Sequence, residues 1–97
     1  MNRAEGHQLG LDQYRRLASK WAIDCGARVQ ETRCVRGLSR QELASTVGTT
    51  EATIHRVESG SINPRDFLKF AIAAALQVSA AELWPLPAQP AEMAGAA

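Results

Sequence analysis

The side chains capable of covalent or metal chemistry are few and poorly spaced for it. Histidine occurs at His7 and His55, and cysteine at Cys25 and Cys34. None of these makes the short ligand pairs from which zinc sites are built. The two cysteines, nine positions apart, give no disulfide framework, so reduced, intracellular thiols are expected. Cys34 reads as a packed thiol rather than a redox handle. The serines and threonines lack the base and third partner that would make one of them a nucleophile, and no glycine-rich loop is present to cradle a phosphate. Neither a metal, a cofactor nor an enzymatic activity is expected.

What remains is recognition. Glu51, Ala52, His55, Arg56 and Ser59 fall along one face of a helix predicted over 51–58, with Ile54 and Val57 on the opposite face. The outer face is small and polar, as a helix entering a DNA major groove about 12 Å wide requires. An ordinary solvated face has the same pattern.

The elements that must hold this face are marked by start and stop signals. Ser39 and Glu42 form a capping box that opens a helix over 40–47, and Leu38 can staple onto Leu43. Gly48 stops it, Thr50 caps the helix over 51–58, and Ser59-Gly60-Ser61 ends that one. Two short helices joined by about three residues make a helix-turn-helix, with Ile54 and Val57 directed at Leu43, Ala44 and Val47. Asn63-Pro64-Arg65-Asp66 is expected to open a further, strongly apolar helix to about Leu76. Ser79 and Glu82 repeat the capping box before a short last helix through Leu83 and Trp84.

Upstream, Leu11, Tyr14, Leu17, Ala18, Trp21, Ala22 and Cys25 recur three and four apart, which predicts an amphipathic helix over 11–23. A second pattern runs on through Val29, Thr32, Arg33 and Val35. Gly26 costs about 1 kcal/mol inside a helix and Asp24 can cap a fresh start, so one bent helix and two separate ones both fit. Residues 1–10 read as a flexible arm and residues 85–97, rich in proline and alanine, as a disordered tail.

Ninety-seven residues provide one core, and eleven Lys/Arg against ten Asp/Glu give a net charge of only +1. No apolar run approaches the roughly 20 residues of a membrane span, and the start of the chain lacks the pattern of a secretory signal. A cytoplasmic protein with no membrane partner is expected. Bulk charge gives no sign of nucleic acid, but between Arg33 and Arg65 there are five arginines and three acids. This local excess is modest, so weak non-specific affinity is expected, with discrimination left to the outward helix face.

The run Arg33-Cys34-Val35-Arg36-Gly37-Leu38-Ser39-Arg40-Gln41-Glu42-Leu43-Ala44 is followed by Val47-Gly48-Thr49-Thr50, Thr53-Ile54, Val57-Glu58-Ser59-Gly60 and Asn63-Pro64. Together these resemble the Cro/CI-type (Xre-like, lambda-repressor-like) helix-turn-helix repressors over roughly residues 24–84. The resemblance implies an all-α, five-helix domain that binds double-stranded operator DNA as a homodimer, here with an additional N-terminal amphipathic helix.

By position, it makes Glu51, Ala52 and Arg56 base-contacting residues. Arg40, Thr50, His55, Ser61, Asn63 and Arg65 fall near phosphate, His55 alternatively in solvent. Arg56 would pair with guanine O6 and N7, and Ala52 would meet a thymine methyl. Arg40 and Glu51 stand where the family often has glutamine. Glu51, an acceptor only, would read a cytosine amino group or simply sit at the favourable end of the helix dipole. Glu58 and Arg33 lie on inward faces, and the resemblance implies a structural salt bridge between them.

The segment Leu11–Trp21 lies outside the resemblance. It is expected either to cover the first helix, burying Leu17 and Trp21, or to dock a partner protein. The function implied is a short transcriptional repressor of the Cro or autoregulatory type. The alternatives are an antitoxin that represses its own operon and a protein-interaction module that no longer binds DNA.

Overall fold

A single helix, Leu11–Val35 (α1), runs through Gly26, and the neighbouring backbone explains why glycine stands there. A Cβ at residue 26 would lie against the carbonyl oxygens of Val57 and Glu58, 2.5 Å from the latter. Gly26 therefore marks a close helix crossing, and no break follows from it. Gly60 closes the same contact from the other side: its φ is +79°, and a Cβ there would fall 2.5 Å from Ile23 Cα.

The computed structural model describes residues 10–86. It contains α1, then α2 (Arg40–Val47), α3 (Glu51–Ser59), α4 (Asp66–Leu76) and α5 (Ala80–Leu83). The protein is all-helical over these residues. Cys25 and Val29 from α1, Leu43 from α2, Ile54 and Val57 from α3, Ile72 and Leu76 from α4 and Leu83 from α5 form one buried core. Between α2 and α3 the chain turns through Gly48, whose left-handed backbone (φ 79°) lets its N–H return to Ala44 O. Both capping boxes form: Ser39 N–H donates to Glu42 Oε1 at 2.7 Å, and Ser79 N–H to Glu82 Oε2 at 2.8 Å.

Several details depart from the sequence reading. Helix α4 starts at Asp66 with Arg65 as its N-cap, not at Asn63-Pro64. Pro64 is buried, so its ring anchors the loop, Arg65 after it is still extended (φ -72°, ψ 162°), and the first helical turn is delayed. Cys34 is exposed, whereas Cys25 is buried and burial raises its thiol pKa. The segment Leu11–Trp21 does not lie over the first helix as a cover. It is the same helix continued outward, with Leu11 64% and Tyr14 45% exposed and Leu17 and Trp21 only half-buried. Trp21 marks where α1 meets the body, its indole N–H donating to Pro85 O at 2.9 Å. The expected arm and tail lie outside the described residues, apart from Gly10, Pro85 and Leu86. Gly10 caps α1 through Gln13 at 2.7 Å. Among the described residues no helix is long and apolar enough to cross a membrane.

Two measurements test this packing. Gly26→Ala raises helix propensity by about 1 kcal/mol but drives a methyl into backbone that cannot rotate away. The net loss is expected to reach about 2 kcal/mol, roughly 10 °C in Tm for a domain of this size, and an unchanged or higher Tm would contradict the close crossing. The second concerns acid. The Ser39 amide, followed by its hydroxyl partner, holds the Glu42 carboxyl below its ordinary range. A depressed pKa stabilises the fold above about pH 4.3 and loses that contribution as pH falls through the lowered value. Glu42→Gln should therefore melt below wild type at neutral pH, with the gap closing in acid; a constant gap would refute the charge contribution.

Candidate nucleic-acid interface

Helix α3 is presented by a buried ionic cluster on its inner side. Glu58 lies in the last turn of α3, and its side chain is only 2% exposed. Arg33 of α1 donates to it twice, Nε to Oε2 at 2.5 Å and Nη2 to Oε1 at 3.1 Å. Arg33 also donates from Nη1 to Leu38 O at 2.7 Å, so the guanidinium spans α1, α3 and the turn into α2. Hydrogen bonding to Glu58 raises the Arg33 pKa further. This bidentate geometry is the strong form of a carboxylate–arginine pair.

A second arginine completes the cluster. Arg40, the first residue of α2, donates from Nε to Glu58 Oε1 at 2.9 Å. Sequence reasoning placed Arg40 toward phosphate and missed this bond, because residues 18 apart on different helices carry no periodic signal. Its terminal nitrogens make no hydrogen bond within the described residues. Arg36 is likewise committed to the fold: Nε donates to Leu76 O at 2.8 Å and Nη2 to Gln77 O at 3.4 Å. It thus caps the free carbonyls at the end of α4, where a cation is favoured by the dipole.

With its inner side held, α3 turns Glu51, Ala52, His55 and Arg56 to solvent, and all four are exposed. Glu51 opens the helix. Arg56 makes no side-chain hydrogen bond or ion pair among the described residues, and the same holds for Arg65. Thr50 serves first as the N-cap, its hydroxyl accepting from Thr53 N–H at 3.1 Å and sharing a 3.0 Å bond with the Thr53 hydroxyl. Ser61 is pinned to Ser59 at 2.7 Å, and Ser59 donates to Arg56 O at 3.1 Å. Asn63 and Arg65 are exposed in the loop leading to α4. The structure therefore gathers the residues of the second helix on one open face and sets Arg40 and the 61–65 loop on flanking elements. No group of three or more metal-ligating side chains occurs among the described residues.

A family model described as helix-turn-helix matches residues 29–83. The chain belongs to the Cro/CI-type helix-turn-helix family. As a helix-turn-helix protein it is a DNA-binding transcriptional regulator, and α3 is the second helix of that motif. The restriction-modification controller protein C.AhdI from Aeromonas hydrophila is similar to it, at 31% identity and a TM-score of 0.62, over 64% of this chain and 94% of that one. Comparison with curated proteins returned no match. The family match begins within α1, so the outward extension of that helix is an addition to the helix-turn-helix unit.

The division between buried and presented charge has a direct consequence. Glu58→Ala strands Arg33 without its partner and is expected to cost about 3–5 kcal/mol. Arg56→Ala removes only a solvated side chain and should stay within about 0.5 kcal/mol of wild type. Equal thermal melting of the two variants would overturn the assignment.

Proposed function

We propose that this protein is a repressor that binds operator DNA as a homodimer and acts by occluding a promoter in the cytoplasm. The observation that carries the reading is the open face of α3. Four polar or small side chains stand free there, on a helix whose other side is clamped by Glu58. Glu51, Ala52 and Arg56 read base edges in the major groove. Arg56 has the planar fork that pairs with guanine O6 and N7, Ala52 suits a thymine methyl, and Glu51 accepts from a cytosine amino group. Arg40, Thr50, His55, Ser61, Asn63 and Arg65 face the sugar–phosphate backbone, where hydrogen bonds position the protein without reading sequence. The likeness to a restriction-modification controller protein supports a regulatory role.

Within this reading Arg40 acts in two directions. Its Nε is held by Glu58, while its outer nitrogens remain for a phosphate oxygen. A side chain already fixed by one bond loses less entropy on making the next. With so few free arginines, non-specific attraction is weak and salt weakens what there is.

Selection of bound sites from random duplex DNA by the full chain tests the function. The expected product is an inverted repeat with half-site centres about 34–36 Å apart. Arg56→Ala should relax one base position in each half-site at a cost of about 1–3 kcal/mol, whereas Arg40→Ala should weaken all sequences alike. Recovery of no enriched sequence at low salt would refute the reading, and enrichment of a single unrepeated site would refute the dimer.

A further inference from the structure

The helix-turn-helix unit leaves an apolar corner uncovered where α1 and α4 meet. On α4, Phe67 and Phe70 lie three residues apart on one face, 81% and 62% exposed. On α1 the apolar positions 11, 14, 18, 21 and 25 follow an alternating three-four spacing, which keeps them on one stripe. The last two serve the body: Cys25 is fully buried and Trp21 half-buried. The first three, Leu11, Tyr14 and Ala18, are bare.

The stripe and the phenylalanine edge converge at a cavity of about 430 Å³, whose lining includes Trp21, Lys69, Phe70, Trp84 and Leu86. Lys69 lies over both indoles, 5.4 Å from the Trp21 centroid and 5.9 Å from that of Trp84. Leu86 is 94% exposed at its rim.

The exposed areas point to the occupant. The part of α1 before Trp21 is about 15 Å long, and Phe67 to Phe70 span about one turn of α4. At their observed exposures, Phe67, Phe70 and Tyr14 alone present roughly 400 Å². With Leu11 and Leu86, the apolar surface of rod and edge together approaches the roughly 800 Å² per partner of a stable complex. One chain thus carries both a projecting apolar rod and an exposed phenylalanine edge, and two copies related by a two-fold axis can bury each rod against the other's edge.

We propose that a second copy of this chain covers the corner. The outward half of α1 from each protomer lies along the Phe67–Phe70 edge of α4 in the other. The proposal rests on the dimeric reading above and assigns its surface.

Sedimentation of the full chain separates the two ideas. Wild type is expected to be dimeric. Phe67→Ser/Phe70→Ser and Leu11→Ser/Tyr14→Ser should each weaken association by about thirtyfold or more, with far-UV circular dichroism unchanged because these side chains are exposed. A dimeric wild type with either double variant associating as tightly would overturn the assigned surface and leave the dimer standing; a monomeric wild type would overturn both.

A bifunctional thiol cross-linker tests the exchange itself in a Cys34→Ser background. Mixing Tyr14→Cys chains with Phe67→Cys chains should yield chiefly the mixed product. Cross-linking confined to like chains would overturn the exchange.

Discussion

Everything that makes α3 usable as a recognition element depends on one carboxylate. Glu58 sits beneath the end of the helix and receives Arg33 from α1 and Arg40 from α2. Three helices are therefore fixed against one another by a group that also faces no water. Burying a charge in this way is costly unless every lone pair finds a donor, and here the guanidinium of Arg33 is itself completed by Leu38 O. The close crossing at Gly26 and Gly60 places the backbone of α1 against the same turn of α3. Ionic fit and backbone contact thus act on one spot, and a change at either should be felt at the other.

The small net charge takes on a different meaning in this light. Of the five arginines between residues 33 and 65, Arg33 is buried with Glu58, Arg40 is half committed to it, and Arg36 caps α4. Of these five, only Arg56 and Arg65 have no side-chain partner among the described residues. Counting arginines along the chain overstates the charge available to a partner, because guanidinium groups here also perform architectural work at helix ends. On the proposed reading, a protein so equipped relies less on long-range attraction than on the shape and hydrogen bonding of α3.

Features written in neighbouring residues were legible before any coordinates. The Ser39–Glu42 and Ser79–Glu82 capping boxes, the turn at Gly48 and the cap at Thr50 each depend on residues within four positions of one another, and each forms. The inward face of α3 was also legible, since Ile54, Val57 and Glu58 follow helical spacing. What the sequence could not show was set by contacts between distant segments. Gly26 looks like a break until the carbonyls of Val57 and Glu58 are placed beside it. Pro64 looks like a helix start until its burial is known. Arg36 counted only toward the local charge excess, and Arg40 read as a phosphate contact, because their partners lie 40 and 18 residues away. The same blindness hid the outward course of α1, whose periodicity is identical whether a partner covers it or not.

The central claim is that α3, clamped from behind by Glu58, offers its outer face to DNA. The most direct measurement is backbone amide chemical-shift mapping of the protein titrated with a selected duplex. The account predicts perturbations concentrated at Thr50 through Arg56, at the Ser39–Arg40 start of α2 and in the 61–65 loop. Perturbations confined to the outward half of α1, with α3 unmoved, would contradict it.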